Sequence, residues 1–360
     1  MIRLLLILTI IAWPFGQLLQ LTPIGGGIRF HLIDLLTTFI SLSLLVSAPA
    51  RRKIIADPLF RPFAFFVLAC ATSLVVVFFG GGRENLLLAV LFFLRFVSYL
   101  GVLFAFRLEG LAKYMRYILL STALFLAIGF LQYLILPDVR FIKYLGFDDH
   151  YFRLIGSLLD PNYTGLVLAA VTLVSPWPAL LLPLLGLVLT FSRASFLALA
   201  VGLIYLGTAK KKLRLLLLLL LLGFIIYLVP KPFGEGVNLT RTFSIFSRWQ
   251  NQQAAFDLFL KNPIFGVGFN SLKSAGLAEI PNLTSGVDNS LLFVLTTTGL
   301  VGFSAFLYLM RSIWLSTKEV SARAALVAVF IHSLFNNSLF YSWVLLLVFV
   351  LLNLRPRKSA

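Results

Sequence analysis

Charge is scarce in this sequence, and acidic charge scarcest: thirteen Asp and Glu stand against thirty Lys and Arg in 360 residues. Only 12% of the residues are charged, while 60% are hydrophobic and 14% aromatic, and the mean hydropathy is +1.00. So few charges cannot cover a water-facing globular surface, which excludes a soluble domain and leaves a polytopic membrane protein. A net charge of +17 would suggest nucleic acid in a soluble chain. Here the basic residues fall between apolar runs, where they orient a chain in a bilayer and attract anionic headgroups, so no nucleic acid is expected. The one cysteine, Cys70, rules out an internal disulfide and reports nothing of the redox compartment. His31, His150 and His332 lie far apart without ligand spacing, and Asp148-Asp149-His150, the one local acidic cluster beside a histidine, reads as a solvated loop; no metal site is expected. Neither a Walker A pattern nor a dinucleotide glycine fingerprint occurs, so any energy comes with the substrate and no cofactor is expected.

What the sequence has in abundance is apolar run. Stretches near 4–21, 28–47, 62–79, 86–106, 117–136, 161–175, 179–207, 214–229, 289–310, 323–340 and 341–354 are long enough, or nearly so, to cross about 30 Å of hydrocarbon. The first follows Met1-Ile2-Arg3 without a small-residue cleavage site and reads as an uncleaved span. Five basic clusters begin at Arg51, Arg107, Lys210, Arg311 and Arg355, and the positive-inside rule assigns them to one side. An unbroken helix over 179–207 would put the last three clusters on the wrong side and leave Arg193 in mid-membrane, at a cost of about 2.5 to 3.5 kcal/mol or more. A reversal at Ser192-Arg193 in "TFSRAS" instead brings all five to the cytoplasmic side and puts Arg193 at the outer face. The expected fold is thus an all-α, GT-C-like polytopic bundle of about twelve transmembrane helices. Residues 1–229 hold helices 1–9, 230–288 form a long periplasmic segment, and 289–360 hold helices 10–12 and a basic cytoplasmic tail. In the long segment, "SIFSRWQNQQAAFDLFLKNP" predicts an amphipathic helix with Ile245, Trp249, Phe256, Phe259 and Leu260 on one face, lying on the outer leaflet or capping a cavity.

That topology collects polar groups at the outer face: Arg153 and Asp160-Pro161-Asn162, Arg193, Arg241 and Arg248, and Asp288-Asn289. Guanidinium groups suit phosphate because their planar forks pair with its oxygens and stay charged, so several around one outward cavity would make a diphosphate site. The competing reading is headgroup snorkelling. Asp288 is either a general base for an attacking hydroxyl, a salt-bridge partner for an arginine, or a helix N-cap. His332, Asn336 and Asn337 either line the cavity or bond between helices. Inside the bilayer proper, Arg95 needs a neutralising carboxylate, and Asp34 is the nearest candidate.

The motifs "RLIGSLLDPNYTG", "LTFSRASFLAL", "RWQNQQAAFDLFLKNPIFGVGFNSLK", "DNSLLFVLTTTGLVGF" and "HSLFNNSLFYSW" occur in an order that resembles the O-antigen ligase and O-antigen polymerase superfamily, over roughly residues 150–345; the earlier spans resemble it only in hydropathy. The resemblance implies a metal-independent membrane glycosyltransferase in the bacterial inner membrane, its active site facing the periplasm. It would move an oligosaccharide from an undecaprenyl-diphosphate carrier to a hydroxyl of a glycan, a lipid A-core or a protein, in O-antigen, lipopolysaccharide or other surface-polysaccharide biosynthesis. Carried over by motif, Arg193 and Arg248 would bind the diphosphate, with Arg153 assisting. Arg241, Asn289 and His332 complete the expected substrate-binding set, and Asp288 with Arg193 and Arg248 the catalytic one. Where the ligases carry a histidine, this chain carries Asp288, which favours a polymerase or another transferase of the family. The first outer loop, "TPIGGGIRFH", lacks the acidic pair of the metal-dependent polyprenyl-phosphate glycosyltransferases. The alternative from another class is a transporter or flippase for the lipid-linked glycan, though no paired halves with broken spans are evident.

Overall fold

The structure, a computed structural model, describes residues 1–22, 29–80, 86–211, 213–229, 234–272 and 286–355. Lys212, Pro230-Lys231-Pro232, Lys273, Arg357 and Lys358, and most of the first outer loop, lie outside the described residues. Fourteen α-helices occur among them: α1 Ile2–Ala12, α2 Leu32–Val46, α3 Ala48–Ile55, α4 Phe60–Phe79, α5 Leu86–Glu109, α6 Met115–Ile135, α7 Pro161–Val174, α8 Leu181–Leu189, α9 Arg193–Lys210, α10 Leu213–Leu228, α11 Phe243–Lys261, α12 Ser290–Ser316, α13 Val320–His332 and α14 Ser342–Leu352. Two isolated bridges, Gln20 with His31 and Asp138 with Tyr151, are the β-type pairings among the described residues. Six helices are long and apolar enough to cross a membrane, or seven if α2 and α3, bent by 95°, count as one span. Helices α7, α13 and α14 are apolar but shorter.

The apolar run at 179–207 is broken where the charge pattern requires. Helix α8 ends at Leu189, Phe191 takes φ +49°, and α9 starts at Arg193 with Ser192 as its N-cap. The direction of the chain reverses there. Gly186 of α8 packs on Leu168 of α7, so the two form a hairpin, whereas Gly165 meets Ser195 and Gly202 meets Leu173, so α9 runs parallel to α7. Helix α13 returns antiparallel beside α9, with Ala324 against Gly202 and the ring of its last residue, His332, 6.3 Å from that of Tyr163 at the start of α7.

Two elements differ from expectation. The 323–340 span is a helix only to His332. Beyond it the chain is held by Ser290 N–H donating to the Ser333 carbonyl (2.8 Å), by Asn336 and by a short 3-10 turn at Ser338–Phe340. Helix α12 is interrupted at Gly299 (φ +62°, ψ −165°). The donors of Leu300 and Val301, freed by the break, are taken by the carbonyls of Pro263 (2.8 Å) and Ile264 (3.2 Å), while Val267 N–H donates to Thr296 (3.0 Å). The "NPIFGVGFN" turn after α11 therefore enters the bundle and satisfies the backbone groups of a broken helix, as an apolar interior demands. Helix α11 packs through Asn251, Ala255 and Leu258, and Thr296 Oγ1 donates to the Ala255 carbonyl at 2.9 Å. Ile245, Trp249, Phe256 and Leu260 are left exposed. The expected apolar face is thus the outward one, suited to the headgroup region.

Arg95 is paired as anticipated. Its Nη2 lies 3.0 Å from Asp34 Oδ2, and buried Asp34 also accepts from Tyr99 Oη (2.8 Å) and the His31 backbone (2.8 Å). From His31 a polar path runs through Gln17 (2.8 Å) to Tyr341 Oη (3.1 Å), whose ring stacks on Tyr163 at 3.9 Å. The N-terminal spans thereby grip the end of the bundle where α7 begins and α13 ends.

Candidate functional site

The site is assembled from two helix starts, a reversal and the long segment. Asp160 caps α7, its Oδ1 accepting from Asn162 N (2.6 Å) and Tyr163 N (3.1 Å). Pro161 at the first helical position needs no partner for a missing N–H. Ser192 caps α9 and its Oγ donates to Asn162 Oδ1 at 3.0 Å, while Ser195 Oγ donates to the Asn162 carbonyl at 3.0 Å. The starts of α7 and α9 are therefore fastened together, and both point their positive dipole ends at the same region.

Arg153, only 5% exposed, donates through Nε to the Thr190 carbonyl (2.8 Å) and through Nη2 toward that of Phe191 (3.5 Å). It staples the reversal from behind. Arg193 faces the other way. Its Nη1 donates to the carbonyls of Leu239 (3.2 Å) and Arg241 (2.8 Å), and its Nη2 to Ser244 Oγ (2.8 Å). Arg241 in turn donates to the carbonyls of Gly236 (2.7 Å) and Asn238 (2.9 Å). The long segment is thus tied to the membrane helices by the arginine of "FSR". Arg248, half-buried on α11, makes one long contact to Asn336 Oδ1 (3.5 Å), which leaves most of its donor fork available to an incoming group.

Asp288 is not the helix cap. That role belongs to Asn289, whose Oδ1 accepts from Leu291 N (2.9 Å) and Leu292 N (3.1 Å), so Asn289 acts on the backbone. The Asp288 carboxylate makes no hydrogen bond or ion pair among the described residues. Its position is set through its backbone: Asn251 accepts from Asp288 N (2.9 Å) and donates to the Gly286 carbonyl (2.9 Å). Asn251 went unremarked in the sequence. Its signal was the spacing Arg248-Asn251, three residues apart on one helix face. His332 is fully buried, with Nδ1 2.7 Å from Ser338 Oγ and Nε2 3.4 Å from Asn336. It contacts Asn336, the partner of Arg248.

Four arginines at one end of the bundle leave an electrostatic imprint. Burial, then the proximity of Arg241, Arg248 and Arg193, push Arg153 down to about 9 against the opposing pull of Asp160, so it is still cationic at neutral pH. Burial first, then Arg153, lower His150 to about 3 and keep it neutral. Burial raises the Asp160 carboxyl above the ordinary range, against its helix-cap hydrogen bonds. Burial likewise raises Asp288, with Arg248 opposing the shift and Asp160 and Asp148 adding to it. The arrangement offers concentrated positive charge to an anionic group beside a carboxyl that burial makes more basic than an exposed one. Among the described residues no group of three or more His, Cys, Asp or Glu is placed to hold a metal ion.

No curated protein matches the chain. Residues 178–307 match the model of a family described as O-antigen ligase. That stretch contains the reversal, Arg193, Arg241, Arg248 and Asp288, and over it the chain is similar to the O-antigen ligase family.

Proposed function

We propose that this protein is a glycosyltransferase of the bacterial inner membrane. It transfers or polymerises oligosaccharide from an undecaprenyl-diphosphate carrier onto an acceptor hydroxyl at the periplasmic face. Twelve crossings, α1, α2, α4 to α10 and α12 to α14, put both chain ends in the cytoplasm and the arginines outside. The basic groups of the helix ends remote from Arg153 and Arg193, among them Arg51, Lys210 and Arg355, then share the cytoplasmic side. Residues 230–288 are the periplasmic segment between helices 9 and 10 of that count. The observation that carries the reading is the proximity of Arg153, Arg193, Arg241 and Arg248 to one another, with Arg248 also acting on the unengaged carboxylate of Asp288.

In the reaction the bond between the anomeric carbon and the diphosphate oxygen breaks, and its electron pair leaves with the diphosphate. Arg248 takes that growing charge, supported by the field of the arginines behind it, and stabilises the transition state more than the ground state. The acceptor oxygen forms the new bond to the anomeric carbon, and its proton passes to Asp288, whose burial makes it a better base than an exposed carboxylate. Aspartate in place of the ligases' histidine favours chain lengthening of surface polysaccharide over ligation to lipid A-core.

The test is purified protein in nanodiscs with lipid-linked oligosaccharide, read by glycan length. Asp288→Asn and Arg248→Ala are expected to slow lengthening or transfer by about a hundredfold or more. Native rates in both variants would refute the proposal, and movement of the lipid across the bilayer without new glycosidic bonds would indicate a carrier.

A further inference from the structure

At the end of the bundle opposite the arginines lies a cavity of about 1300 Å³, larger than the range of about 300–1,000 Å³ usual for small-molecule sites. Its wall is largely aliphatic: Met115 and Leu119 of α6, Val171 of α7, Leu206 of α9, and Leu347 and Leu351 of α14. Two exposed cations, Lys210 at the end of α9 and Arg355 just beyond α14, line the same cavity. Neither makes a hydrogen bond or ion pair among the described residues, whereas Lys113, Arg323 and Glu319 at the same end of the bundle are engaged. Lys113 pairs with Glu109 at 3.6 Å. Arg323 donates to the Thr317 carbonyl at 2.7 Å and lies over Trp314. Glu319, which also lines the cavity, is occupied as the cap of α13 through Ser321 N (3.3 Å) and Ser321 Oγ (2.8 Å).

Unneutralised cations beside an aliphatic hollow suit an amphiphile with an anionic head. A soluble anion would satisfy the charges and leave the hydrocarbon wall wet, and a neutral lipid would do the reverse. We propose that this cavity binds an anionic membrane phospholipid, its acyl chains between α6, α7 and α14 and its phosphodiester at Lys210 and Arg355. The site is separate from the arginine cluster and does not depend on the reaction proposed there.

Trp177 lines the cavity and supplies a reporter. The full-length protein in nanodiscs is titrated with phosphatidylglycerol or phosphatidylcholine carrying brominated acyl chains, and tryptophan quenching is followed. Brominated phosphatidylglycerol is expected to quench at roughly 30-fold lower mole fraction, the ratio two basic groups at an anionic surface give. The quenched component should vanish in Trp177→Phe, and the preference should vanish in the Lys210→Gln/Arg355→Gln double variant while quenching by both lipids persists. Equal quenching of the native protein by the two lipids, or a preference that survives the double variant, would overturn the proposal.

Discussion

Gly299→Ala probes the broken helix on which the turn after α11 is anchored. The glycine sits nine residues into α12, about 14 Å from its start at 1.5 Å per residue, with φ +62° and ψ −165°. That conformation is essentially confined to glycine, and a side chain there costs about 1–3 kcal/mol. A Cβ would also run into the carbonyl of Ile264 and come within 2.6 Å of Phe265 N, both backbone atoms that cannot rotate away. Pushing the 263–267 turn aside removes the acceptors of Leu300 N and Val301 N. Each buried donor left unpaired costs about 1–3 kcal/mol, so the loss totals about 3–9 kcal/mol, a large share of a typical stability of about 5–15 kcal/mol. Cys70, the one cysteine and buried in α4, gives the assay: its maleimide reactivity in detergent, followed against temperature, reports unfolding. Gly223→Ala is the control, because Gly223 has nothing within 4 Å of the added carbon, and there the change should be neutral or gain up to about 1 kcal/mol of helix propensity. A Gly299→Ala protein within about 0.5 kcal/mol of the native one would refute the reasoning.

Two further outcomes are expected. Because burial raises Asp288 and Arg248 opposes the rise, transferase activity should be lost as pH falls through a value above the ordinary carboxylate range of about 3.9. Arg248→Gln should move that acidic limb upward, and a limb that stays put or moves down in the pH-rate profile would contradict the assignment of Asp288 as base. Arg95→Leu should cost about 3–5 kcal/mol by leaving Asp34 buried without its cation, and Asp34→Leu/Arg95→Leu should recover much of it. Additive effects of the two single substitutions in a double-mutant cycle would dismiss the pair.

Much of the architecture could be read before any coordinates. Charge parity located the reversal at Ser192 and Arg193 because five basic clusters cannot all be cytoplasmic unless the 179–207 run turns. The pairing of Arg95 with Asp34 followed from the cost of a lone cation in hydrocarbon, and those costs act on each residue wherever its neighbours lie. The caps were half legible: Asp160 before Pro161 signals a helix start, but in Asp288-Asn289 two capping residue types stand side by side, and a one-residue difference in where the helix begins decides which side chain holds the backbone.

The rest depended on contacts between distant segments. A lone glycine in "TTTGLVG" reads as span, and it breaks the helix only because the Pro263–Val267 turn arrives to take the freed donors. The amphipathic pattern of α11 identified its apolar face but not that small residues on the other side, Asn251 and Ala255, would pack against α12. His332 read either as a cavity residue or as a hydrogen-bonding group between helices, and packing buried it against Asn336 and Ser338. Sequence alone determined that the chain lives in a bilayer, where it reverses, and which end collects arginines, since hydrophobicity and charge are local properties. Tertiary structure decided which of those arginines hold the backbone and which one keeps most of its donor fork uncommitted among the described residues, because donor satisfaction depends on what packs beside each guanidinium group.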